Sequence, residues 1–125
     1  MIVATGIDSV DISRIEEVFT TRGPRFRDRV FTPGEIAYCE PRGSRFASYA
    51  VRFAAKEALM KALGTGWTGG VAWQDIEVVR DEKGAPSIKL GGRALELFNE
   101  MGARRVHLSL THSRDVATAQ VILES

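Results

Sequence analysis

Hydrophobic and polar positions change their period several times along the chain. From Ile2 to about Asp8 the residues are mostly β-formers interrupted by Gly6, which predicts a strand. Helical signals follow. Ser13-Arg14-Ile15-Glu16 has the Ser-x-x-Glu form of a capping box and predicts a first helix. Thr32-Pro33-Gly34-Glu35 repeats the signal, with proline at the first helical position. A long helix is expected from near Ser44 to Gly64. Gln74 to Arg80 alternates like a strand, turns at Asp81-Glu82-Lys83-Gly84 and returns from Pro86 to Leu90. Gly92 to Met101 reads as a short helix stopped by Gly102. Arg105 to Thr111 and Val116 to Leu123 form two strands around His112-Ser113-Arg114-Asp115. Helices early and hairpins late predict an α+β fold, one long helix packed on a largely antiparallel sheet.

The long helix carries an anomaly. On a 3.6-residue wheel Phe46, Ala50, Phe53 and Met60 form an apolar stripe, and Glu57 falls inside it. A carboxylate there is costly unless a cation meets it. Lys61, beside it at i, i+4, is one candidate, and a divalent metal is the other. From spacing alone the ion pair is the commoner solution. Arg45, Arg52 and Lys56 run down an adjacent strip.

Composition narrows the class. A chain of 125 residues, 44% hydrophobic, fits one domain with a core, and at this size association would add stability. Lysine plus arginine (17) nearly cancels aspartate plus glutamate (16), so no nucleic-acid-binding polyelectrolyte is indicated. Between Arg14 and Arg52, however, lie Arg22, Arg25, Arg27, Arg29, Arg42 and Arg45, enough to face an acidic partner if they gather on one surface. The lone Cys39 excludes an internal disulfide and suits a reducing, cytoplasmic setting. The first residues lack the basic lead and apolar stretch of a secretion signal, and no apolar run is long enough to span a membrane.

Few groups suit chemistry. Asp8, at the end of the first strand, and Glu57 are the two most confined carboxylates. Two oxygen donors, with other positions left to water and phosphate, suit magnesium, and no cysteine–histidine cluster suits zinc. The loop Gly64-Thr65-Gly66-Trp67-Thr68-Gly69-Gly70 offers backbone N–H groups to a phosphate, although it is also an ordinary helix stop and is no Walker loop. His112, at a turn beside two hydroxyls and Arg114, could bind phosphate or shuttle a proton, whereas His107 inside a strand reads as structural. No serine or cysteine lies in a nucleophile elbow.

Gly6-Ile7-Asp8 through Arg14-Ile15-Glu16, Arg29-Val30-Phe31-Thr32-x-x-Glu35, Arg52-Phe53-Ala54-Ala55-Lys56-Glu57-Ala58, Lys61-Ala62-Leu63-Gly64-Thr65-Gly66, Asp75-Ile76-Glu77-Val78 and Ser109-Leu110-Thr111-His112-Ser113 together resemble the holo-acyl-carrier-protein synthases. These are the short 4′-phosphopantetheinyl transferases, and the resemblance runs in order from near residue 6 to near residue 124. It implies transfer of the 4′-phosphopantetheine arm of coenzyme A to a serine of apo acyl carrier protein, with release of adenosine 3′,5′-bisphosphate. By the same resemblance Asp8 and Glu57 match magnesium ligands and Lys61 the lysine near the transferred phosphate. Arg45, Arg52, Lys56, the Gly64-Thr65-Gly66 loop and His112 fall on the coenzyme A surface. Arg14, Arg25 and Arg29 match the basic region that docks the acidic carrier helix. Members look like homotrimers with active sites between subunits. Two other readings are an Sfp-type transferase for polyketide or peptide-synthetase carriers, which chain length opposes, and a non-catalytic coenzyme A-binding module. Against the latter stand Asp8, Glu57 and Lys61 together, since binding alone would not need all three.

Overall fold

A computed structural model describes residues 1–66 and 69–125, so Trp67 and Thr68 of the glycine-punctuated loop lie outside the described residues. Strand β1 (Ile2–Asp11) leads into α1 (Ile12–Arg22), α2 (Pro24–Val30), α3 (Pro33–Cys39) and the long α4 (Arg45–Leu63). One 3-10 turn (Trp73–Asp75) precedes the hairpin of β2 (Ile76–Arg80) and β3 (Pro86–Leu90). Then come α5 (Gly92–Glu100), β4 (Arg105–His112) and β5 (Val116–Glu124). The strands form two antiparallel sheets, one ordered β1-β5-β4 and one of β2 and β3, which gives the mixed helix and antiparallel-sheet class expected.

Three local readings need correction. The first strand continues past Asp8 to Asp11, because β5 pairs with it as far as Asp11↔Val116. Ser13 is therefore inside α1, not its cap: the helix starts at Ile12 after Asp11, and no side chain caps it. Helix α2 was not anticipated. It opens at Pro24 after Gly23, whose φ of 62° sets a sharp break from α1. The Thr32 box does form, with Thr32 Oγ1 accepting from the Glu35 N–H at 3.2 Å and Glu35 Oε1 accepting from the Thr32 N–H at 2.9 Å.

Helix α4 is the organising element. Its buried Ala54, Ala55, Ala58 and Ala62, with Leu59 and Met60, pack into a core shared with both sheets and α5. Its first half joins a second, aromatic core with α1, α2 and α3, where Phe19 lies 4.7 Å from Tyr49 and 5.6 Å from both Phe26 and Phe46. The apolar stripe read from the wheel is thus divided: Phe46, Ala50 and Phe53 face the aromatic core and Met60 the other. Small residues let the helix lie close to the sheet. A Cβ on Gly6 of β1 would stand 1.9 Å from the Ala58 carbonyl oxygen. Only hydrogen fits there, and this contact brings the Asp8 end of β1 against the Glu57 turn of α4.

Candidate active site

Asp8 is two residues beyond Gly6 and so faces the same side of β1, toward α4. Its side chain is 15% exposed, and Oδ1 accepts a hydrogen bond from Lys61 Nζ at 2.9 Å. Lys61 Nζ donates a second, 3.0 Å, bond to the Ile7 carbonyl. The partner of Lys61 is therefore Asp8, not the i, i+4 neighbour Glu57. The helix spacing is right, but β1 crosses within reach of the ammonium and takes it. Glu57 is half-buried one turn earlier. Burial raises its pKa first and the Asp8 charge raises it further, while Lys61 and Arg14 pull it down.

Asp8 and Glu57 open into a cleft of about 1040 Å³ between β1, α1, α2 and α4. Arg14, Arg22, Arg25 and Arg29 line it on one side, and Val18, Phe26, Phe53 and Trp73 supply apolar wall. Phe53 and Trp73 stack, their centroids 5.2 Å apart. Arg14, Arg25 and Arg29, expected on a docking region, thus share a cleft with the two carboxylates. The sequence reading missed Arg22, Phe26, Phe53 and Trp73 as cleft residues. Arg14, Val18 and Arg22 lie at i, i+4, i+8 on one face of α1, a signal that spacing alone could have supplied.

The remaining candidates lie elsewhere. Lys56, expected on the coenzyme A surface, has a side chain 0% exposed in this chain, and its Nζ pairs with Glu35 Oε1 at 2.8 Å and donates to the Trp73 and Ile76 carbonyls. Arg52 is also buried. Nη1 donates to the Ser48 carbonyl at 3.1 Å, the guanidinium lies 4.2 Å from the Tyr38 ring centre, and Nε has no partner. It lines a second, smaller pocket with Gly34, Tyr38, Glu77 and Arg80. Arg45 is exposed at the start of α4, over the Phe46 ring at 4.7 Å. Gly64 caps α4 in the left-handed region (φ 76°), and the exposed Gly66 has φ 52°. Thr65 is partly buried. His112 is exposed at the end of β4, in register with Ala117, whose other partner is Val10. Two strand spacings, about 10 Å, thus separate the His112 backbone from β1. One chain does not gather these residues around Asp8 and Glu57.

Cys39 is wholly buried, and burial pushes its thiol up to about 11, so it is a packing residue with no thiolate to offer. Among the described residues no three His, Cys, Asp or Glu side chains gather as a metal cluster. The Asp8–Glu57 pair still fits magnesium. Two hard oxygen donors line one open cleft, Lys61 and Arg14 offset the charge around Glu57 only in part, and magnesium takes one or two carboxylates plus phosphate. Among the described residues no helix is long and apolar enough to cross a membrane.

Comparison with known proteins identifies the family. Residues 4–121 match the family described as the 4′-phosphopantetheinyl transferase superfamily. The holo-acyl-carrier-protein synthase of Trichlorobacter lovleyi is 49% identical over 125 residues, covering 100% of this chain and 99% of that one. The crystal structure of the Neisseria meningitidis synthase superposes with a TM-score of 0.91 at 35% identity, covering 100% of both chains. A Bacillus anthracis synthase solved with coenzyme A (3′,5′-ADP) gives 0.82 at 39% identity, covering 100% of this chain and 98% of that one. The chain belongs to the 4′-phosphopantetheinyl transferase superfamily, among its holo-acyl-carrier-protein synthase enzymes.

Proposed function

We propose that this chain transfers the 4′-phosphopantetheine arm of coenzyme A to a serine of an apo acyl carrier protein and releases adenosine 3′,5′-bisphosphate. One observation carries the reading: Asp8, paired with Lys61, and Glu57 line a cleft that four arginines line with them. Coenzyme A bound to the Bacillus anthracis relative supports the donor. Coverage of nearly the whole length of single-unit relatives supports an acyl-carrier synthase over a doubled Sfp-type enzyme.

The serine oxygen attacks the pantetheine-bearing phosphorus, a P–O bond forms, and the bond to the adenosine-side phosphate breaks. Negative charge grows on the leaving oxygens, so positioning and electrostatic stabilisation are the main requirements. Asp8 and Glu57 would hold magnesium, which when bound supplies positive charge to the pyrophosphate. Lys61 Nζ, fixed by Asp8 and the Ile7 carbonyl, keeps a hydrogen free to donate to a phosphate oxygen bound beside Asp8. The serine proton goes to the Glu57 carboxylate, which lines the cleft beside Asp8, or to a water held there. Arg14, Arg22, Arg25 and Arg29 attract the acidic carrier.

Arg45, the Gly64-Thr65-Gly66 loop and His112 complete the coenzyme A site when a neighbouring copy brings them to the cleft, as in the homotrimer that the family resemblance implies. The exposed Val3 and Ile7 side chains on β1 suit such an interface. The setting is the cytoplasm, and the product serves fatty acid biosynthesis.

Incubation of apo carrier protein with this chain, magnesium and coenzyme A should add one phosphopantetheine mass to the carrier. Asp8→Ala or Glu57→Gln should slow the transfer about a thousandfold or more. An unmodified carrier under magnesium-replete conditions would remove the assignment.

A further inference from the structure

The buried Lys56 lies next to Glu57 in sequence yet points away from the cleft, into the junction of four elements. Its ammonium pairs with Glu35 of α3 at 2.8 Å and donates to the Trp73 carbonyl at 3.2 Å and to the Ile76 carbonyl of β2. Glu35 is 1% exposed, and its second oxygen accepts from the Val78 N–H of β2 at 2.8 Å. A buried ion pair is a weak source of stability, because desolvation offsets most of its attraction. Apolar residues of similar volume would fill the space as well. What they could not do is donate to two backbone carbonyls.

One of those carbonyls belongs to Trp73, whose indole stacks on Phe53. Phe53 is one helical turn before Glu57, and all three side chains line the cleft. The hydrogen bond to the Trp73 carbonyl therefore holds the backbone that carries the indole in the apolar wall beside the reacting centre. We propose that Lys56 is a positioning residue for phosphopantetheinyl transfer, holding the Trp73–Phe53 wall and the Glu57 turn of α4 in register through the Trp73 and Ile76 carbonyls. The proposal rests on the transferase reading, and part of its test needs no substrate.

In a Trp67→Phe background Trp73 is the remaining tryptophan and reports its own surroundings. Lys56→Met leaves Glu35 buried and unpaired, so its melting temperature should fall. Glu35→Gln combined with Lys56→Met removes both charges and should recover part of that loss. A role confined to charge balance predicts that activity and Trp73 emission recover with it. Positioning predicts otherwise: in the double variant Trp73 stays more accessible to acrylamide, and kcat stays about tenfold or more below the parent, with coenzyme A KM changing less. Trp73→Leu in the native background leaves the ion pair in place and should reproduce the kcat loss. It keeps the question open to measurement even if the Lys56 variants fail to fold. Parental kcat in Trp73→Leu, or parental quenching and kcat in the double variant, would overturn the proposal. A wild-type chain that modified no carrier would instead remove the transferase reading, while the quenching result would still stand.

Discussion

The ammonium of Lys61 has two partners, the Asp8 carboxylate and the Ile7 carbonyl, yet 55% of its side chain remains open to solvent. An exposed pair of this kind contributes little to stability, about 1 kcal/mol or less. A preorganised donor to charge developing on a pyrophosphate contributes much more to rate, roughly two to three orders of magnitude. Lys61→Met should therefore lower kcat by about that factor while the melting temperature moves little. Coenzyme A affinity should weaken less than kcat, because the contact strengthens toward the transition state. Parental kcat with a large fall in melting temperature would return Lys61 to a structural role. At this scale the sequence was a fair guide to which residues matter and a poorer one to what they touch. A helical wheel offers only neighbours on the same helix, so it paired Lys61 with Glu57 and set Lys56 on a basic strip with Arg45 and Arg52. Asp8 and Glu35, the actual partners, arrive from other elements.

Between β1 and α4 the decisive feature is an absent side chain. A methyl on Gly6 would meet the Ala58 carbonyl oxygen at 1.9 Å and the Ala62 nitrogen at 3.1 Å, both backbone atoms that cannot swing aside. Gly6→Ala must push the strand off the helix, and overpacking of this kind costs about 1–3 kcal/mol. Since Asp8 is two residues further along the same face, the displacement should also open the Asp8–Lys61 contact. We expect a lower melting temperature together with a loss of kcat that persists well below the melting range. Thr5→Ala, on the opposite face of β1 and outside the cleft lining, should change neither by much. Full activity in folded Gly6→Ala would show that the close approach does not set the site. Element types were largely legible from the chain because long helices and alternating strands advertise their periods. The seven residues of α2 did not: two turns rich in arginine carry too little apolar periodicity, and the Gly23-Pro24 step reads as a loop. Ser13 misled because a capping box is a local signal, whereas the end of β1 is decided by pairing with β5.

A formal charge of +1 conceals a strong local field. Arg14, Arg22, Arg25 and Arg29 come from two helices onto one cleft, while their acidic neighbours Glu16, Glu17 and Asp28 stay out of its lining. Composition could show an arginine excess, but only the packing of α1 against α2 could show that it converges. Opposed charges of this kind act mainly on encounter, and exposed ones are screened beyond about 8 Å at physiological ionic strength. The carrier-protein KM of the parent enzyme should therefore rise steeply with salt, while the coenzyme A KM rises less. Charge reversal makes the sharper test, and the choice of arginine matters. Arg14 acts directly on the Glu57 carboxylate, so Arg14→Glu should disturb kcat as well as docking. Arg25→Glu is the cleaner probe. It should raise the carrier KM by about tenfold at low salt, flatten its salt dependence and leave kcat close to the parent value. Equal rises in both KM values, or a carrier KM indifferent to salt, would mean that the arginines serve the coenzyme A phosphates and that the carrier docks elsewhere.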